Sequence, residues 1–266
     1  MKLKYIFISV IFFSMISSAI LAQNNKTNYN PVVAHRGAWK KNNLPQNSIA
    51  SLMKAIEIGC IGSEFDVRMT ADETLVINHD SDYHGFQIEK TNYNQLISFP
   101  LSNGEKLPTL KEYLEAGFEN NNYTKLVIEI KPSDISKERA LIVASKVLDV
   151  VKKLHGLQKV SFISFDYDIL LQIRKLDANA QLQYLEGDKA PANLKEDEIN
   201  GADFHFSVYH DNPSWVEQCK INHILLNAWT VNEAEEMDWM INNHFDFITT
   251  NEPELLFEKC KIISNK

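Results

Sequence analysis

The chain has 266 residues, of which 44% are hydrophobic and 23% charged, a composition that excludes a disordered, collagen-like or simple coiled-coil protein. Lys and Arg number 27 and Asp and Glu 35, and the resulting formal charge of −8 argues against non-specific binding to nucleic acid. The length suits one large domain, since a single α/β barrel takes about 250 residues.

Residues 1–22 open with Lys2 and Lys4, continue through an apolar run from Tyr5 to Ile20 and end on Ala22 before polar Gln23. This order of basic, apolar and small residues predicts a cleaved secretory signal peptide, and with it export to the periplasm or the medium. An uncleaved anchor is the alternative, but Ser9, Ser14, Ser17 and Ser18 interrupt the run, which is short for a span of about 20 residues. Cleavage leaves a more acidic chain with no stable membrane span. In it, residues 23–30 are a polar lead and residues 31–266 the domain. Cys60, Cys219 and Cys260 are too few for a disulfide framework and none sits at metal-ligand spacing, so buried thiols are expected.

Strands are predicted over 31–35, 61–68, 75–78, 125–131, 159–165, 181–185, 202–206, 224–228 and 245–249. Apolar residues at helical spacing fall between most of them, over 46–59, 109–119, 136–154, 166–176, 212–219, 232–243 and 252–260. Repeated βα units predict a parallel sheet, and their number favours a single closed (β/α)8 TIM barrel over an open doubly wound sheet. Neither GxGxxG nor GxxxxGK[ST] occurs, which removes the usual nucleotide loops.

The first strand ends in His35-Arg36-Gly37. In the second, alternation puts Glu64 and Asp66 on one face and Phe65 and Val67 on the other, so in a barrel the two acids point inward and need a counter-charge. An exposed edge strand with ordinary surface acids is the plainer alternative. His79 closes the third predicted strand. Residues 125–131 repeat the pattern, with Glu129 and Lys131 opposite Leu126, Ile128 and Ile130; a functionless buried ion pair would read the same way. Three carboxylates offer hard oxygen ligands for one divalent cation, Ca2+ or Mg2+, and the two strand-end histidines can act as general base and general acid.

Taken in order, His35-Arg36-Gly37, Pro45-Gln46-Asn47-Ser48, Glu64-Phe65-Asp66, Thr70-Ala71-Asp72, His79-Asp80, Glu129-Ile130-Lys131, Ser164-Phe165, Trp229-Thr230-Val231-Asn232 and Asp246-Phe247-Ile248-Thr249-Thr250 resemble the glycerophosphodiester phosphodiesterase family, from about residue 31 to 257. The resemblance implies a TIM barrel that hydrolyses small-molecule glycerophosphodiesters to glycerol 3-phosphate and an alcohol. It implies His35 and His79 as the acid/base pair, Glu64, Asp66 and Glu129 as metal ligands, Arg36 and Lys131 as phosphate-binding cations, and Trp229 on the glycerol side. It also implies attack by the substrate's own 2-hydroxyl, through a cyclic phosphate that water opens. Gln46 stands where the family usually has Glu, which puts in question the contact to a neighbouring cation and the substrate preference. Residues 80–108 leave little room for a lid, so headgroup choice is expected from a small loop with Tyr83, His84 and Phe86. Phospholipase-like cleavage of a lysophospholipid or phosphoinositide on the same barrel is the nearest alternative. A glycoside hydrolase would need two carboxylates at strand ends where only Asp166 is offered, and a non-catalytic barrel would be marked by a lost His or acid. The sequence leaves the oligomeric state open.

Overall fold

The computed structural model describes residues 29–264, and the signal-peptide segment lies outside the described residues. In chain order the strands are β1 (Val32–Ala34), β2 (Gly62–Met69), β3 (Leu75–Ile77), β4 (Asp82–Tyr83), β5 (Phe86–Gln87), β6 (Lys125–Ile130), β7 (Val160–Ser164), β8 (Leu182–Tyr184), β9 (Gly201–His205), β10 (Leu225–Trp229) and β11 (Phe247–Thr250). Eight of them, β1, β2 and β6 to β11, pair in parallel, and β1 bonds to both β2 and β11, which closes the ring as a (β/α)8 barrel.

Alternation along the strands divides the interior in two. Phe65 and Val67 of β2, Leu126 and Ile128 of β6, and Ala202 and Phe204 of β9 pack against the surrounding helices, among them Lys137–Lys153 and Tyr167–Leu176. Their neighbours point to the axis, where Val33, Val127, Ile163 and Leu185 form a separate apolar plug. Helix starts follow their capping residues: Ser48 accepts from Ser51 N at 3.0 Å before Ile49–Glu57, and Thr109 forms a reciprocal box with Glu112 before Leu110–Phe118.

Several elements depart from the predicted ones. The helix expected over 212–219 is Ser214–Asn222, but the short helices Tyr93–Leu96, Pro191–Glu196 and Phe206–Asp211 had no predicted counterpart. β3, read as one more strand of the parallel sheet, instead runs antiparallel to β2 outside the ring, with Met69 opposite Leu75 and Val67 opposite Ile77. The hairpin β4–β5 follows, and this insertion has its own core of Val76, Tyr83, Ile88, Leu96 and Leu107. Cys60, Cys219 and Cys260 are all buried, as expected, and burial pushes the Cys219 thiol up to about 12. Among the described residues no helix is long and apolar enough to cross a membrane.

Candidate active site

β1 delivers His35 and Arg36 to the C-terminal rim of the barrel. The turn beyond β1 is tight: Arg36 sits at φ +57°, and Gly37 at φ +82° lies so near the helix Ile49–Glu57 that a Cβ there would fall 2.4–2.7 Å from atoms of Ser51. The Arg36 backbone N–H consequently points inward and donates to Glu64 Oε2 at 2.9 Å. Its guanidinium lies 3.5 Å from Asp66 Oδ2 through Nε, while Nη1 donates to Gln46 Oε1 at 2.7 Å. The amide at position 46 thus keeps the contact to a cation that the family's acid was expected to make.

Pairing of β2 with β6 sets Asp66 beside Glu129 and Glu64 beside Val127, so that the carboxyls of Glu64, Asp66 and Glu129 converge with ligand atoms all within 4.8 Å of one another. All three are buried. Lys131 Nζ reaches Glu129 at 2.6 Å and Asp66 at 2.9 Å, and Asn47 Nδ2 donates to Asp66 Oδ2 at 2.8 Å. Burial raises every carboxyl here, but at Asp66 the charges of Lys131 and Arg36 outweigh it and hold that group well below the usual carboxylate range. Glu64 and Glu129 lack enough compensating positive charge: burial, then the neighbouring carboxylates, push Glu64 far up, and burial with Asp66 pushes Glu129 to about 7, which favours their protonated forms until a cation replaces the proton. Glu64 Oε1 is buried with no hydrogen-bond partner among the described residues. An unsatisfied carboxyl oxygen in an all-oxygen set, spanning less than the roughly 5 Å across a Ca2+ coordination shell, fits a hard divalent cation.

The two histidines meet this cluster in different ways. His35 Nδ1 lies 2.8 Å from Asn251 Oδ1, which can only accept, so Nδ1 carries the hydrogen and Nε2, 3.9 Å from Glu64, presents its lone pair. Asn251 is held in turn by its own N–H donating to Asn232 Oδ1 at 2.9 Å. Burial, reinforced by Arg36, lowers His35 to about 4 and keeps it neutral. His79 arrives by a route the sequence did not disclose. β3 turns the chain back down along β2 until Asn78 N bonds to Asp66 O at 3.0 Å, and His79 follows at the level of the acids. Its Nδ1 lies 2.7 Å from Asp80 Oδ1, its side chain is 40% exposed against 17% for His35, and burial lowers it while Asp66 and Asp80 pull it back up.

A cavity of about 100 Å3 opens beside His35 and the acids, and His79, Asp66 and Lys131 are not among the residues that line it. His35, Arg36, Glu64 and Glu129 line one side, and Ile163, Phe165, Leu185 and Trp229 the other. Trp229, at the end of β10, donates from Nε1 to the Asp203 carbonyl at 2.9 Å and meets Phe165 edge to face at 5.3 Å. Tyr83 is buried in the insertion, donating to Phe99 O, and His84 stacks on Phe99 at 5.1 Å; neither they nor Phe86 line the cavity. Asn251 and Asp203 were not singled out from sequence. A polar residue just past a strand end, and an acid alternating inward with Ala202 and Phe204, were the available signals.

Three acids, two cations and an imidazole lone pair at the mouth of a TIM barrel define an enzyme of phosphoryl transfer. Residues 35–255 match the glycerophosphoryl diester phosphodiesterase family, and the chain belongs to that family of phosphoric diester hydrolases. A glycerophosphodiester phosphodiesterase of Caldanaerobacter subterraneus subsp. tengcongensis is 30% identical over 242 residues, 85% of this chain and 95% of its own. The crystal structure of a glycerophosphodiester phosphodiesterase from Parabacteroides distasonis ATCC 8503 matches with a TM-score of 0.86 at 38% identity, covering 89% of this chain and 98% of that one. An Oleispira antarctica phosphodiesterase, solved in complex with the product sn-glycerol-3-phosphate, shares the fold at 24% identity and a TM-score of 0.74, over 88% of this chain and 98% of its own.

Proposed function

We propose that the protein hydrolyses glycerophosphodiesters to glycerol 3-phosphate and an alcohol by His35/His79 acid–base catalysis, with one divalent cation, Ca2+ or Mg2+, held by Glu64, Asp66 and Glu129. The observation that carries this reading is the unsatisfied Glu64 oxygen within a buried acidic trio, directly beside Arg36, Lys131 and a cavity of glycerol size. When bound, the cation supplies Lewis-acid neutralisation of a non-bridging phosphate oxygen. Arg36 and Lys131 add fixed positive charge on the same anion. His35, neutral and with Nε2 free, takes the proton from the glycerol 2-hydroxyl as its oxygen attacks phosphorus. The bond to the headgroup oxygen breaks, and His79, more exposed than His35 and with Asp80 behind it, gives that oxygen a proton. Water then opens the cyclic phosphate with the roles reversed: His79 takes a proton from water and His35 returns one to the 2-oxygen.

The experiment is a glycerol 3-phosphate-coupled assay over a panel of glycerophosphodiesters, after chelation and after adding back Ca2+ or Mg2+. Activity lost with chelator and restored by a divalent cation is expected, and full activity of cation-free protein contradicts the reading. We also propose export, supported by the order of residues 1–22 and tested by the mass and N-terminal sequence of protein recovered outside the cytoplasm.

A further inference from the structure

On the wall facing the acids lies a carboxyl that the chemistry above leaves unused. Ala202 and Phe204 of β9 pack outward against helices, so Asp203 between them points to the barrel axis. Asp203 is 1% exposed, lines the same cavity as His35 and Glu64, and its Oδ1 has no hydrogen-bond partner among the described residues. Its place is fixed by pairing with Asn227 and by the Trp229 indole on its carbonyl. Around it Ile163, Phe165, Leu185 and the Trp229 ring offer apolar surface, and the nearby Thr249 hydroxyl donates to Asn227 at 3.3 Å. Buried carboxyl oxygens without partners are rare, and one aimed into a substrate cavity is matched by a donor that enters with the substrate.

We propose that Asp203 is a substrate-positioning residue that accepts a hydrogen bond from the terminal hydroxyl of the glycerol moiety and so selects glycerol over deoxygenated analogues. This rests on the glycerophosphodiester reading above. With phosphorus held at Arg36 and Lys131, the terminal hydroxyl is the glycerol oxygen farthest from phosphorus along the carbon chain and the one that extends toward the opposite wall. An oxygen lone pair is available on Asp203 in either protonation state.

The test measures kcat and KM of the wild type, Asp203→Leu and Asp203→Asn on glycerophosphocholine and on its propane-1,2-diol analogue, which keeps the 2-hydroxyl and lacks the terminal one. The wild type is expected to prefer the glycerol substrate by about tenfold to a hundredfold in kcat/KM. Asp203→Leu removes most of that preference, and Asp203→Asn, which retains an acceptor oxygen, restores part of it. If Asp203→Leu fails to melt cooperatively, Asp203→Ala takes its place. A preference that survives in the apolar variant, or a wild type that cleaves both substrates equally, overturns the role of Asp203 alone. A wild type that cleaves neither overturns the glycerophosphodiester reading itself.

Discussion

His35 and His79 are one residue type in unlike surroundings, and the proposed division of labour rests on that difference. His35 is held by Asn251, mostly buried and neutral, which suits a base; His79 is more exposed and backed by Asp80, which suits an acid beside a departing alcohol. Each His→Ala variant is expected to lose about 10²–10⁴-fold in turnover. A p-nitrophenyl glycerophosphodiester, whose leaving group needs no proton, should rescue His79→Ala much more than His35→Ala, read as the ratio of kcat on the nitrophenyl and choline substrates. Equal rescue of both would dissolve the assignment. Gln46 touches Arg36 and does not line the cavity, so its influence runs through the phosphate that every substrate shares. Gln46→Glu places a competing anion on Arg36 and is expected to lower kcat/KM by about 5–30-fold, equally for choline, ethanolamine, glycerol and inositol headgroups. A change confined to one headgroup would instead mark position 46 as a selectivity residue.

At the scale of elements, the turn after β1 stores the tightest constraint in the site. Gly37→Ala imposes a left-handed alanine and overlap with Ser51, worth at least about 2 kcal/mol, and should lower Tm by roughly 4–8 °C while displacing Arg36 from Glu64. Thermal melting together with KM would read both effects. Much of this scale was legible in the sequence. A period of two placed Glu64, Asp66, Glu129 and Lys131 on inward faces, because apolar neighbours had to meet the helices. What stayed hidden has physical reasons. Alternation carries no strand direction, so β3 read like a barrel strand although it runs antiparallel. Pro191–Glu196 spans 6 residues with only Pro191 and Leu194 buried, too short a pattern to show a period. Asn251 acts on His35 across 216 positions of sequence, a pairing that exists only once the ring has closed.

For the whole molecule, the proposed cation site is coupled to protons. Burial and neighbouring carboxylates raise Glu64, and burial and Asp66 raise Glu129 to about 7, so a cation bound there would displace protons and its affinity is expected to fall as the pH drops. His35 is held low by burial and Arg36 and stays neutral where these carboxyls take up protons. The acid limb of kcat/KM is therefore expected to lie at higher pH when the cation is limiting than when it is saturating; a limb that does not move with cation concentration would contradict the coupling. The same histidine has a stability sign of its own. Between its unfolded pKa of about 6.5 and its folded value of about 4, His35 binds its proton more readily in the unfolded chain, so its contribution to stability is lost as pH falls through that window, while the raised Glu64 and Glu129 act in the opposite direction. The difference in Tm between the wild type and His35→Gln, titrated in cation-free buffer, isolates the His35 part, and a difference that does not change with pH would contradict it.

The antiparallel excursion of β3 has a mechanical corollary. His35 and the acidic cluster are built on the closed ring, whereas His79 enters on a strand whose Val76 anchors a small core of its own with Tyr83, Ile88, Leu96 and Leu107. The two histidines are thereby carried by separate packing units, joined at the level of Asp66 through Asn78. Loosening the small core would be felt first at His79 and only afterwards at His35 and the acids, so the site can lose its two halves one at a time.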